Sequence, residues 1–226
     1  MRRRFDIATA LTILLLTAPF LAIVAVGIRL SSPGPVFHRA RRVGKDGMIF
    51  QMLKFRSMHV GRPGAVITAE RDPRVFAFGR FIRAAKLDEL PQMLNVLRGD
   101  MAIVGPRPED PAIVKRAYRG WMRETLAVRP GVTGPGSIFY YGWGEALIDP
   151  ADPEASYIAR LLPAKLALER AYMDRATWQS DVATVLRTGL AILGVATGRP
   201  VSPDPRDMEA AAKWTTVTLR VRGQAA

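Results

Sequence analysis

Twenty-two consecutive residues, 7–28, carry no formal charge, and no other feature restricts the fold as much. At about 1.5 Å per residue such a run makes a helix of roughly 33 Å, enough to cross the core of a bilayer. Three dispositions compete. A secretory signal peptide would start with a basic cluster like Arg2, Arg3 and Arg4, but the run is long for one and no convincing small-x-small site follows. A straight span would put those arginines on one side and Arg29, Arg39, Arg41 and Arg42 on the other, although both flanks favour the cytoplasm. A helix that enters and returns on the same side satisfies both flanks. Pro19, near the middle, supplies the bend: an interior proline removes a backbone hydrogen bond and kinks a helix, at about 3 kcal/mol if nothing compensates. The Thr17 hydroxyl is a candidate to satisfy a freed carbonyl. A re-entrant membrane helix over 1–30 is the expectation.

The charge supports a membrane surface. The chain carries a formal +13, which calls for an anionic partner: nucleic acid, acidic lipid or a phosphorylated substrate. Residues 1–62 hold eleven Lys and Arg against Asp6 and Asp46, so most of the excess flanks the apolar segment. There is no cysteine, which excludes a thiolate nucleophile, a disulfide framework and a Cys-based zinc site. Two histidines, His38 and His59, are too few for a histidine-rich metal site.

Residues 87–101 hold the most informative polar pair. Leu87, Leu90, Leu94 and Leu97 recur at three- and four-residue steps, one face of a helix. Asp88 suits its N-cap, Pro91 its first turn and Gly99 its left-handed C-terminal cap. Asp88 and Glu89 then sit at a helix N-terminus, where free N–H groups favour ionised carboxylates fit for a nucleophile or metal ligand; plain capping is the bland reading. Arg107 leaves a loop braced by Pro106 and Pro108, which suits a guanidinium fork aimed at phosphate. Arg129, beside Pro130-Gly131, repeats the device. Lys54-Phe55-Arg56 sets two cations around an aromatic ring, either a solvated edge or a patch facing phosphate or lipid headgroups.

The pattern predicts two short strands, or a strand and a helix start, over 36–42 and 48–58 about a turn at 44–47, a loop over 61–74, and a helix over 75–85 that aligns Arg80, Arg83 and Lys86 on one side. A short strand over 101–104 and helices over 111–126, 156–174 and 181–196 follow. Aromatics at 139–143 suit either core or a membrane interface. From 198 onward the chain reads as a tail with little to pack. The fold class is α+β, mostly helical: a membrane-anchoring helix over 1–30, a small cytoplasmic domain with surface amphipathic helices over 31–198, and a tail over 199–226. No P-loop, G-x-S-x-G or dinucleotide fingerprint occurs.

In order, Pro19 in its apolar segment, Lys54-Phe55-Arg56-Ser57-Met58, Asp72-Pro73-Arg74, Gly79-Arg80-Phe81-Ile82-Arg83, Leu87-Asp88-Glu89-Leu90-Pro91-Gln92, Asn95-Val96-Leu97-Arg98-Gly99-Asp100-Met101, Val104-Gly105-Pro106-Arg107-Pro108 and Arg129-Pro130-Gly131-Val132-Thr133-Gly134 resemble one family, the monotopic phosphoglycosyl transferases, or bacterial sugar transferases. The resemblance covers about residues 1–195. It implies transfer of a sugar-1-phosphate from a nucleotide sugar, usually a UDP-sugar, to a polyprenyl phosphate such as undecaprenyl phosphate, with release of UMP. It makes Asp88 the nucleophile of a covalent phosphosugar intermediate, assisted by Glu89, and requires Mg²⁺. One carboxylate can attack while its neighbour holds the metal or orients the lipid phosphate, because Mg²⁺ takes only one or two carboxylates when substrate phosphates supply the rest. Arg107, Arg129, Arg83 and Lys54 are the phosphate-binding candidates.

Location at the cytoplasmic face of a bacterial inner membrane, in contact with lipid and without nucleic acid, follows from the resemblance; a homodimer stays open. Two departures stand out: Ala18 where serine is common before the membrane proline, and the segment 135–155, which bears on the sugar accepted. The competing class is a membrane-anchored basic protein that binds nucleic acid or acidic lipid without catalysis. That class explains the charge but not the Asp88-Glu89 pair or the proline-braced arginines.

Overall fold

A computed structural model describes residues 2–61, 72–144, 147–149 and 151–215. The apolar run forms α1 (Arg2–Ser31), with Pro19 inside it, and is long and apolar enough to cross a membrane. Both ends of α1 pack on the rest of the chain. Near its start, Arg3 donates to the carbonyls of Val96 and Leu97 at 2.6 and 3.0 Å, and the buried Asp6 accepts from the Ile103 N–H at 2.9 Å. Near its end, Val24 and Ile28 bury themselves against Phe55, Phe76 and Ile82. Between them Leu11, Leu15, Leu16, Phe20 and Ile23 are exposed. The Thr17 hydroxyl donates to the Ile13 carbonyl at 2.6 Å. The carbonyl that Pro19 deprives of its partner is four residues back, at Leu15, so Thr17 does not make that repair.

Two strands follow, β1 (Phe37–Val43) and β2 (Ile49–Phe55), paired antiparallel from Phe37↔Phe55 to Val43↔Ile49. They bracket a turn at Lys45–Gly47. The expected loop over 61–74 lies mostly outside the described residues. Next comes α2 (Ala77–Ala84), shorter than expected because Lys86 adopts a left-handed conformation, φ 56°. Lys86 therefore leaves the side it was expected to share with Arg80 and Arg83. A tight 3-10 turn at Leu87–Glu89 leads to α3 (Gln92–Arg98). Asp88 is thus not the N-cap: Pro91 holds that position, without a side-chain capping bond.

The buried face of α3 also differs from the leucine stripe. Gln92, Met93, Asn95 and Val96 point inward, and Leu94 and Leu97 are half-buried. The reason is Asn95, which accepts from the Leu53 N–H at 2.9 Å and donates to the Gln51 carbonyl at 2.8 Å. It fastens α3 to the edge of β2, and a buried amide so paired fixes which face turns in. Gly99 forms the expected left-handed cap, φ 95°.

A parallel pair, β3 (Ala102–Val104) and β4 (Gly131–Thr133), lies beneath α1. The residues of β4 were expected in a loop. The two backbones approach so closely that a Cβ on Gly131 would lie 2.1 Å from the Gly105 nitrogen, which is why glycine stands there. The expected helix over 111–126 is two pieces, α4 (Pro111–Ala117) and a 3-10 helix at Gly120–Ala127, divided at Gly120 with φ 48°. Then come α5 (Pro135–Phe139), continuing into a wider turn at Tyr140–Gly144, α6 (Pro153–Ser156) and α7 (Leu162–Arg175).

The middle of α7 is buried on all sides and centres the largest core cluster, with Leu161, Leu162, Leu166 and Leu168 against Ile113, Tyr118 and Phe139. A helix enclosed in this way shows no amphipathic period. Next, α8 (Trp178–Thr197) begins with a reciprocal Thr177–Ser180 cap. The presumed tail contains a packed element, α9 (Pro205–Ala211), whose Ala211 is fully buried on the α7 cluster. Its Asp207 takes a two-pronged bond from Arg175 at 2.6 and 2.7 Å. Residues 216–226 lie outside the described residues.

Candidate active site

The turn at Leu87–Glu89 holds Asp88 and Glu89 at the junction of α2 and α3, and β2 brings Lys54 against them. The Lys54 ammonium donates to Glu89 Oε1 at 3.1 Å. Arg107 donates to the same oxygen with one nitrogen and to the Val132 carbonyl at 2.7 Å with another. The Arg107 loop is fixed by β4: the Gly131 N–H donates to the Pro106 carbonyl at 2.9 Å. The close Gly105–Gly131 approach is therefore what aims Arg107 at Glu89. Lys86, in its left-handed conformation, places its ammonium 4.5 Å from the centre of the Tyr141 ring. A non-glycine residue at positive φ is strained, and such strain gathers at functional sites.

Burial and charge divide the two carboxylates. Burial raises both. At Glu89, Arg107 and Lys54 overcome it and hold the carboxyl far below its usual range. At Asp88 burial prevails, helped by the neighbouring Glu89 anion, against the pull of Lys54, Arg83 and Lys86, and the carboxyl is raised. Adjacent acids pushed apart in this way are a signature of divided roles. Glu89 is locked as an anion in an ion-paired cluster. Asp88, buried yet lining a cavity, makes no side-chain hydrogen bond among the described residues. A carboxylate poor in hydrogen bonds is the better nucleophile of the two.

The cavity has a volume of about 970 Å³. Among the described residues, eight Lys and Arg line it against only Asp88 and Glu89, a charge balance that favours anions. Pro35 and Val36, just after α1, line one part of it. There the buried Arg56 donates to the carbonyls of Ser32 and Pro35 at 2.7 and 2.6 Å, tying the exit of α1 to the cavity wall. Among the described residues no group of three acidic, histidine or cysteine side chains could hold a metal by itself. Two adjacent carboxylates, one of them unengaged, fit a hard cation that draws its other ligands from phosphate and water.

Of the residues singled out in the sequence, Asp88, Glu89, Lys54, Arg83 and Arg107 meet at this cavity. Arg83 also lies 3.4 Å from the Ser57 hydroxyl. Arg129 does not join them. It is exposed and lines a separate concavity of about 270 Å³ with Arg2, Arg3 and Tyr172, because pairing of Pro130 with Ala102 at 2.8 Å sets its backbone beside the start of α1. Pro19 lies within α1, away from the cavity. Sequence reasoning missed Lys86, Tyr140, Tyr141 and Glu109. A lysine directly before an Asp-Glu pair was a usable signal for the first; the others become neighbours only through the fold.

Comparison with known proteins identifies the family. The family model described as bacterial sugar transferase matches residues 1–194. The chain is 38% identical over 197 residues to a UDP-glucose:undecaprenyl-phosphate glucose-1-phosphate transferase of Caulobacter vibrioides, covering 85% of this chain and 69% of that protein. It is 45% identical over 148 residues to the Escherichia coli protein of the same name, covering 63% of this chain and 31% of that one. A UDP-N-acetylgalactosamine-undecaprenyl-phosphate N-acetylgalactosaminephosphotransferase of Aeromonas hydrophila is 41% identical over 138 residues, covering 59% and 32%. The matched region is thus under a third of the length of the E. coli relative. With an ordered series of motifs and a model match over most of its length, the chain belongs to the bacterial sugar transferase family.

Proposed function

We propose that the protein transfers a sugar-1-phosphate from a UDP-sugar to undecaprenyl phosphate and releases UMP. The observation that carries this is the Asp88–Glu89 pair, with opposed protonation tendencies, in a cationic cavity at the exit of an apolar helix. In the first step an Asp88 carboxylate oxygen attacks the sugar-bearing phosphorus of the donor. A phosphorus–oxygen bond forms, the bond to the bridging oxygen breaks, and the electron pair leaves with UMP. In the second step a phosphate oxygen of the lipid attacks the same phosphorus, the bond to Asp88 breaks, and the carboxylate is restored. The net products are UMP and a lipid-linked sugar diphosphate. Two substitutions at one phosphorus let a soluble donor and a lipid acceptor use the same centre in turn.

Lys54, Arg83 and Lys86 face Asp88 electrostatically and suit phosphate oxygens that gain charge during transfer. Glu89, anchored by Arg107, fixes that cationic set and keeps its anionic charge beside the nucleophile. Asp88 and Glu89 would hold Mg²⁺, which when bound neutralises phosphate charge. α1 is read as a re-entrant anchor at the cytoplasmic face of a bacterial inner membrane. Packing of both its ends on the same body, with an exposed apolar middle, supports that reading. The apolar outer side of α8, with Leu186, Leu190 and Leu193 exposed, suits the same lipid surface. The relatives' names carry two different sugars, so the donor is assigned to the UDP-sugar class.

The test is UMP release by purified protein given a UDP-sugar and undecaprenyl phosphate. The parent releases UMP and Asp88→Asn loses at least about a thousandfold. Full activity in Asp88→Asn would contradict the assignment.

A further inference from the structure

Behind Glu89 a smaller cavity of about 210 Å³ adjoins the large one and shares Lys54, Glu89 and Arg107 with it. We infer that this inner cavity receives the sugar ring of the donor, with Ser137, Tyr157 and the Glu109–Lys165 pair reading its hydroxyls. The inference rests on the UDP-sugar reading above.

Three observations converge on it. Ser137 lines the inner cavity, is 3% exposed, and its hydroxyl has no hydrogen-bond partner. A buried unpaired hydroxyl is rare because it forfeits its bonds to water, and a ligand in the cavity would restore them. Beside it Lys165 donates to Glu109 at 2.9 Å and to the Tyr157 hydroxyl at 2.8 Å, and Tyr157 donates to Glu109. One cation and one anion cancel, so this wall presents fixed hydrogen-bonding groups, while Arg42, Lys54, Arg83, Lys86 and Arg107 line the side that the cavity shares with the larger one. Tyr140 and Tyr141 line the same cavity and bring aromatic surface suited to the C–H face of a pyranose. Placed polar groups beside aromatic and apolar surface, here Tyr140, Tyr141, Met52 and Ile148, suit a small-molecule subsite.

The order of groups in the donor selects the sugar over the base. The sugar is bonded to the phosphorus that Asp88 attacks, while uridine lies one phosphate further away. The small chamber next to the dyad therefore suits the sugar, and the large cationic cavity suits the nucleotide and the lipid phosphate.

The experiment compares the parent with Ser137→Ala and Tyr157→Phe, as full-length purified protein, for UMP release from UDP-glucose, UDP-galactose and UDP-N-acetylgalactosamine. UMP inhibition and the thermal midpoint are measured alongside. Ser137→Ala removes only an unpaired hydroxyl, so its midpoint should match the parent. The KM for the parent's best donor rises about tenfold in each variant, the preference between donors changes, and inhibition by UMP stays within about twofold. Unchanged donor KM and preference in Ser137→Ala would overturn the inference. A parallel weakening of UMP would also overturn it by assigning the cavity to the nucleotide. A parent that releases UMP from no UDP-sugar would instead remove the reading on which the inference rests.

Discussion

Glu169 shows how one buried carboxyl can govern response to pH. It lies in the middle of α7 with one oxygen accepting the Gly136 N–H at 3.0 Å and the other without a partner. Burial pushes it up from 4.5 to about 8. Between those values the folded chain keeps a proton that the unfolded chain has lost, so stability falls as pH rises from 4.5 towards 8. The loss is on the order of a few kcal/mol. Glu169→Gln, neutral at every pH, should have a thermal midpoint that changes less between pH 5 and pH 8.5 than the parent's, and should be the more stable at pH 8.5. Equal pH slopes would mean that Glu169 is ionised in the folded protein. The Asp88–Glu89 pair was legible as a carboxylate pair before an apolar run. Its division was not, because Lys54 lies 34 residues before Asp88 and Arg107 lies 18 residues after Glu89, and only the fold makes them its neighbours.

Among elements, strong period and clear stop signals were the legible features. The paired strands, α2, β3 and α8 fall within a few residues of expectation, whereas the helix expected over 156–174 runs through a wider turn at Tyr157–Leu161 before α7 begins at Leu162. Failures occurred where tertiary contact overrides local pattern. Asn95 turned α3 away from its leucine face, Gly120 split one helix in two, and β4 is three residues long with a glycine at its start, which gives no alternation to read. The most consequential miss is α9, where an Ala-rich, charged stretch looked unable to pack. It is held by the buried Asp207 under the Arg175 fork and by Ala211 against α7. Asp207→Ala leaves that guanidinium only the more distant Asp204, at 3.8 Å, and removes two charge-assisted bonds, worth about 2 kcal/mol. Its thermal midpoint should fall by about 5 °C. An unchanged midpoint would return α9 to the status of a loose tail.

At the scale of the molecule, α1 is fastened at both ends to the body that holds the Asp88–Glu89 cavity. Arg2 forks onto Asp181 at the start of α8 with two contacts of 2.8 Å, Arg3 caps the end of α3, and Arg56 clasps the chain just after α1. These links hold the helix at both ends and set the residues just after it, Pro35 and Val36, in the cavity wall. Because the chain lacks cysteine, topology can be read from single cysteines. Arg4→Cys and Ser31→Cys, both exposed positions, should both resist a membrane-impermeant maleimide applied to intact spheroplasts and both react after lysis. Labelling of only one in intact spheroplasts would establish a straight span.

The arrangement of cavity, helix and cations has one purpose in this account, to bring a phosphorus to Asp88. Intact-mass and peptide spectrometry of the protein quenched after exposure to its UDP-sugar, without lipid acceptor, tests this most directly. The account predicts one sugar-phosphate adduct on the peptide containing Asp88, discharged when undecaprenyl phosphate is added. Rapid UMP release in the presence of lipid, with no adduct at Asp88 in its absence or during turnover, would contradict it.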